Sequence, residues 1–496
     1  MGIVLKQSFK NTLIIYLGFI IGGLNVIIFY PRFLGKEYYG VITVLLAYAN
    51  LIMPLIALGV HYTVVKFYSS FKEKKEKDKF LTLAIFLPLL IAIPIGFLWS
   101  SIQDFIVKNF VAEGNIEIKK YTLIIYIIAV CCAYFEVFYS WAKVQLRTVL
   151  GNFLKEFYNR AVIMLLLFAV FFEMIETSQF MYVLTVMYII RTLIMMFYAF
   201  STYFPNISFS LPHNYKEILY FSFFIILAGS AGALILDIDK VMIIGKETFE
   251  AAAYYTVAVF IGSFIEAPSR AMNQILQPLT SKSLNENNEK EVESLYKKSS
   301  INLLLIGGLF FLLINCNVAE LFKVMPLGYE NGVIAVLLIS LSKLFNMFLG
   351  NNTSIIANSK YYKITLLTGL GSAVLVYFLN MVFYHRINMD TDGLALATLI
   401  TIVVFNTFKL SYVHRKFGMT PITNKTKILL LIIFSMFLIF YFWNFAMPQI
   451  IVYNFPLHPL LNIIFKSILI IVIYTYVIIK LNISSQINQL LKKIIK

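Results

Sequence analysis

A few charged residues stand inside long apolar stretches of this chain, and they are the ones that could do chemistry. Arg191 lies in "MYIIRTLIMMF", Lys343 in "LISLSKLFNMF" and Glu136 in "YFEVFYSWAK". Glu266 and Arg270 are four residues apart in "FIEAPSRAM", so a continuous helix sets them on one face, within reach of an ion pair. Lys343, Asn346 and Gly350 fall at helical spacing and form a polar stripe on an otherwise apolar segment. Asp237 and Asp239 close another apolar run, with Lys240 three residues after Asp237. A guanidinium offers a planar fork of donors that fits phosphate or carboxylate, and an ammonium adds a point charge. A carboxylate held away from water can take up a proton or a cation. This chemistry is ion recognition. Zinc-binding HExxH, phosphate-cradling GxxxxGK and nucleophile-elbow patterns are all missing, and no metal site is expected. The histidines His61, His213, His385, His414 and His458 sit near the ends of apolar runs, where a wet interface explains them.

The elements that hold these charges must be membrane helices. The 496 residues are 60% hydrophobic and 13% charged, against about 25% charged in a soluble domain. Stretches of about 20 apolar residues, enough to cross roughly 30 Å of hydrocarbon, recur along the chain. Fourteen are expected, at 12–31, 41–65, 80–101, 121–142, 158–175, 179–203, 217–236, 251–275, 299–319, 331–350, 361–384, 393–412, 427–446 and 460–480. A charge at the centre of such a helix costs about 2.5–3.5 kcal/mol on insertion scales, so it needs a partner or a water-filled path. The cysteines Cys131, Cys132 and Cys316 lie in apolar runs and suggest packing. The net charge of +16 is spread over short loops, which argues against a nucleic-acid partner.

Orientation follows from the basic residues. With alternating spans, roughly 28 Lys and Arg fall on the side of the N-terminus and about 9 on the other, the positive-inside bias. Both termini are therefore expected in the cytoplasm of a multi-pass protein of the cell (inner) membrane, with Lys143, Arg147 and Arg160 as inside-flank anchors. The loop at 66–80 and the tail "LLKKIIK" belong to that side and would attract anionic lipid headgroups.

Residues 12–70 repeat in outline at 220–282. "FLGKEYYG" and "IIGKETFEAAAYY" each join two apolar runs through a Gly-Lys-Glu turn, with tyrosines following. Six spans separate the two starts, so the copies run the same way through the membrane, an arrangement that transporters use to set a cavity between two bundles. The turn itself reads as a structural corner at the outer face.

On these residues, with "LQPLTSK" leaving span eight and "DTDGLALATLI" opening span twelve, the chain resembles the multidrug/oligosaccharidyl-lipid/polysaccharide exporter superfamily. Within it the chain is similar to polysaccharide flippases of the O-antigen and capsule type. The resemblance implies an all-α polytopic fold of about 14 transmembrane helices. Two pseudo-symmetric six-helix bundles, 1–210 and 211–415, would surround a central cavity, with two further helices and a cytoplasmic tail at 416–496. It implies a transporter that is not an enzyme, moving a polyprenyl-pyrophosphate-linked oligosaccharide to the outer leaflet for polysaccharide or lipopolysaccharide biosynthesis by alternating access. Its partners would be that lipid-linked oligosaccharide, membrane lipids and a polysaccharide polymerase. The substrate-cavity candidates are Arg191, Lys343, Asn346, Arg270, Glu266 and Glu136, a cationic balance suited to a pyrophosphate. Asp237 and Asp239 are ion-coupling candidates, since similar flippases place an acidic residue near this point. No cofactor is expected beyond coupling to a proton or sodium gradient. An ion-coupled exporter of small amphipathic cations is the alternative, in which the carboxylates would be indispensable and Arg191 and Lys343 dispensable. A membrane-embedded glycan polymerase or acyltransferase would need a large outer loop, and the outer loops here are short.

Overall fold

A computed structural model describes residues 2–112, 118–145, 147–326, 328–445, 448, 451–452 and 455–484. The basic tail "LLKKIIK" lies outside the described residues. The fold is all helical but for a two-residue antiparallel ladder, Ile451–Val452 against Phe455–Pro456, the one β-pairing among the described residues. Eleven helical segments there are long and apolar enough to cross a membrane. The chain divides into two compact units, residues 1–256 with 369–377, and residues 257–368 with 378–496. This division follows packing, whereas the boundaries at 210 and 415 follow the repeat.

The first unit opens with α1 (Gly2–Leu24), a π-helical stretch at Asn25–Leu34 and α2 (Gly35–Ala57). Pro31 lies within the wide turns, where its missing N–H breaks the regular ladder. Gly35 then takes φ of +75°, a conformation closed to most side chains, and turns the chain. As one straight helix, the 45 residues Leu13–Ala57 would be about twice the hydrocarbon thickness, so the corner at Gly35 splits them into two lengths of spanning size. Leu58 and Gly59 are both left-handed and start α3 (Val60–Phe67). A Cβ on Gly59 would lie 2.7 Å from the Ser222 carbonyl of α11, described below, so the corner fits only without one. Next come α4 (Lys74–Phe86), α5 (Leu89–Phe97), α6 (Trp99–Phe110) and α7 (Thr122–Val144). A continuous helical run follows: α8 (Val149–Asn152), a π stretch Phe153–Tyr158, and α9 (Asn159–Phe171). The sequence starts this span near 158 and reads 143–160 as loop. The helix starts at Val149 because Leu150, Phe153, Leu154 and Tyr158 pack on the core and carry it nine residues further back. The unit continues with α10 (Thr177–Thr202), α11 (Tyr215–Ile244) and the first half of α12 (Phe249–Ser263).

Lipid gives helices little hydrophobic drive to associate, so contact depends on close fit and small residues. In the first unit Val64, Phe80, Phe135, Trp141 and Met195 bring α3, α4, α7 and α10 into one core. A Cβ on Gly18 would lie 2.4 Å from the Glu156 carbonyl, and one on Gly40 only 1.8 Å from that of Phe249. The two Gly-Lys-Glu corners thus meet within this unit. Lys36 of the first lies 3.8 Å from Glu250 and over the ring of Tyr254, both just after the second.

The second unit runs from the 3-10 turn Phe264–Glu266 through α13 (Ala267–Asn285), α14 (Glu289–Asn315) and α15 (Val318–Val324). It continues with α16 (Val333–Leu349), α17 (Asn352–Ala357), α18 (Lys363–Asn380, part of which belongs to the first unit) and α19 (Asp390–Phe417). The last two helices, α20 (Asn424–Tyr441) and α21 (His458–Lys480), pack on α14 through Leu304, Leu429, Ile433 and Tyr474. Lys466 of α21 is fully buried and donates to the Cys316 carbonyl at 2.6 Å and to Asn444 Oδ1 at 2.9 Å. Its positive charge caps the C-terminus of α14, where the helix dipole favours a cation.

Candidate functional site

The charges singled out by sequence fall into separate clusters. In the second unit, Lys343 Nζ of α16 lies 3.0 Å from Glu266 Oε2, and Asn346 one turn on donates to Oε1 at 3.4 Å. Asn406 of α19 extends the chain, donating to Asn346 Oδ1 at 2.7 Å. The side chains of Lys343 and Glu266 are 13% and 25% exposed, so the pair is not fully enclosed by protein. The sequence paired Glu266 with Arg270 on one helical face. The structure makes Glu266 the residue that caps α13 and gives its carboxylate Lys343 as a partner, while Arg270 stands exposed in the first turn of that helix. Gly350 ends α16 at φ +54°, against Ser299 and Ser300.

In the first unit, Glu136 of α7 meets Lys155 of the π stretch at 2.5 Å. Lys143, two turns along α7, lies 4.0 Å above the Tyr139 ring, and His61 of α3 is near enough to Glu136, Lys143 and Lys155 to feel their charges. Glu156, 3.5 Å from Arg160, also acts on Lys155, so two carboxylates meet three cations and the cluster keeps a net positive charge that suits an anion. Sequence reasoning missed Lys155, which fell in a presumed loop, and His61, set aside as interfacial. The seven-residue spacing of Glu136 and Lys143, two helical turns, was the available signal. Arg147 is exposed.

Arg191 is placed differently. It is 4% exposed, with its guanidinium carbon 4.3 Å from the centre of the Phe135 ring and 4.7 Å from that of Tyr188. Nη2 donates to Cys132 Sγ at 3.4 Å, while buried Nε has no hydrogen-bond partner. Among the described residues no carboxylate pairs with it. Ring faces supply its stabilisation, a cation–π interaction that strengthens as water is excluded.

Asp237 and Asp239 are both buried near the end of α11. Lys240 meets Asp237 at 2.8 Å, the local bridge that the spacing suggests, and Asn50 of α2 donates to its other oxygen at 3.1 Å. The Tyr255 hydroxyl donates to Asp239 at 2.5 Å. Each carboxylate is thus held by hydrogen-bond donors. Among the described residues no three metal-ligating side chains converge.

Comparison with known proteins follows from this geometry. In fold the chain is similar to the lipid II flippase MurJ in an inward closed conformation, with a TM-score of 0.66 at 14% identity over 96% of this chain and 99% of that one. It is similar to an inward-facing multidrug resistance transporter of the MATE family, with a TM-score of 0.62 at 14% identity over 83% of this chain and 94% of the other. A transporter of the same superfamily from Pyrococcus furiosus matches with a TM-score of 0.58 at 14% identity, covering 83% and 96%. No curated protein matches in sequence. A family model described as polysaccharide biosynthesis protein matches residues 4–277, more than half of the chain. This all-helical, multi-pass membrane protein with a transporter fold belongs to the polysaccharide biosynthesis protein family.

Proposed function

We propose that the protein is a flippase that carries a polyprenyl-pyrophosphate-linked oligosaccharide from the cytoplasmic to the outer leaflet by alternating access, without enzymatic chemistry. The family match carries this reading. The charge pattern supports it, because a pyrophosphate needs cationic contacts along a path whose walls are otherwise apolar. Glu136 and Glu156 are outnumbered by Lys143, Lys155 and Arg160, and among the described residues no carboxylate pairs with Arg191. The fold match extends over 96% of this chain for the lipid II flippase but 83% for the drug transporters, close to the share that precedes α20. We assign fourteen crossings, counting Leu13–Ala57 as two and adding Val149–Phe171 and Tyr215–Ile244 by their length, with both termini in the cytoplasm of a cell-membrane protein. The substrate then leaves for a polysaccharide polymerase, and a proton or sodium gradient acts through Asp237 or Asp239. The likeness to multidrug transporters favours a second reading, ion-coupled export of amphipathic cations.

Proteoliposomes separate the two. The purified protein should expose a fluorescent polyprenyl-pyrophosphate oligosaccharide to an external lectin faster than protein-free vesicles do. Transport of a fluorescent organic cation with no movement of the lipid-linked sugar would sink the first reading and support the second.

A further inference from the structure

The second unit holds a basic pocket remote in sequence from the Glu266–Lys343 network. It has a volume of about 400 Å³ and is lined by Lys297 and Lys298 of α14, Thr423 and Lys425 at the start of α20, and Ile301 and Ile483. Among the described residues no carboxylate lines it. Lys297 is held by Glu293 at 2.6 Å, and Lys425 Nζ donates to the Asn482 carbonyl at 2.6 Å, which brings the end of α21 to the start of α20. Thr423 caps α20 by accepting from the Thr426 N–H. The first two backbone N–H groups of that helix are left without intrahelical partners, and its dipole adds positive potential.

The pocket's level along the helices identifies its ligand. Lys297 and Lys298 directly precede the apolar run of α14 that opens with Ile301. Lys425 precedes the run of α20, and Ile483 and Ser484 follow the end of α21 at Lys480. Three helices therefore change from apolar to polar at one height, with isoleucines on the apolar side and ammonium groups on the polar side. In a membrane that is the level of the lipid phosphates. We propose that this pocket is a binding site for the phosphate of an anionic lipid headgroup, whose acyl chains lie beside the α20–α21 pair. Charge complementarity, the apolar lower wall and the height of the lysines together favour a lipid over a free anion. The site does not depend on what the protein transports.

The test uses the full-length protein in detergent, with dioleoylphosphatidylglycerol, dioleoylphosphatidylcholine or inorganic phosphate as the probe. Native mass spectrometry should show phosphatidylglycerol retained in preference to phosphatidylcholine. Lys298→Ala with Lys425→Ala should weaken retention by about fivefold per lysine removed. Lys298→Arg with Lys425→Arg keeps both charges and should retain the lipid, which separates loss of the site from loss of the fold. Equal retention of the two lipids, or equal retention by wild type and the alanine pair, would overturn the proposal. So would a lysine-dependent rise in Tm with inorganic phosphate without phosphatidylglycerol retention, which would assign the pocket to a free anion.

Discussion

Arg191 and Lys343 each stand near the middle of a helix, yet their surroundings answer the charge differently. Lys343 is neutralised by Glu266 and supported by the Asn346–Asn406 bridge, so removing either charge leaves the other without its partner. Breaking a fully buried pair costs about 3–5 kcal/mol, and this one is only partly buried. We therefore expect Lys343→Met to lower stability by about 1–2 kcal/mol, and Glu266→Gln in the same chain to restore most of the loss. Thermal unfolding of the two single variants and the double variant measures the coupling, and additive effects would remove the pair as a structural element. Among the described residues Arg191 has no carboxylate to lose, and its buried Nε lacks an acceptor. A buried donor without an acceptor costs the fold about 1–3 kcal/mol. Arg191→Met should therefore match or exceed the wild type in Tm while transport of the lipid-linked sugar falls at least tenfold. A less stable variant with normal transport would make Arg191 purely structural.

At the scale of elements, the corners and wide turns decide where these side chains stand. The Gly-Lys-Glu turn could be read from sequence as a repeated corner, but not the contact it makes. Gly40 lies against the Phe249 backbone with no room for a Cβ, while Gly35 has open space and an unusual φ. Two glycines five residues apart are therefore fixed by different physics. Gly40→Ala should destabilise by about 1–3 kcal/mol through overpacking, and Gly35→Ala by a similar amount through backbone strain. The two are separable, because Phe249→Ala leaves the clash with the Phe249 carbonyl in place and rescues neither, whereas Asn, tolerant of positive φ, should recover part of the loss at position 35 only. Unfolding curves of the four variants check this.

For the whole molecule, hydrophobic run length made the membrane class, the helical fold and most spans legible, since lipid demands runs of that length and no other element satisfies it. Two kinds of feature were hidden. A span start was missed where Asn152, Lys155 and Glu156 interrupt the apolar run, as at Val149–Tyr158, because such a stretch resembles a loop to a hydropathy reading. Ion partners were missed where the partner is distant in sequence, as Lys343 is from Glu266. The proposed orientation makes its own prediction. Single cysteines at Lys75 and Lys416, in a background with Cys131, Cys132 and Cys316 replaced by Ser, should react with an impermeant maleimide only in inverted vesicles. Cysteines at Glu176 and Asp390 should react only in intact cells, and the reverse pattern would invert the topology. The partners of the buried cations also bear on how the chain is made. Synthesis proceeds from the N-terminus. Arg191 follows Cys132 and Phe135, Lys343 follows Glu266, and Lys466 follows Cys316 and Asn444. Each of these cations therefore enters the bilayer after the groups that stabilise it. Glu136 has the opposite order: Lys143 enters with it on α7, but its direct partner Lys155 comes 19 residues later, so release of α7 into lipid before α8 and α9 emerge is a step exposed to error in the biogenesis of the first unit.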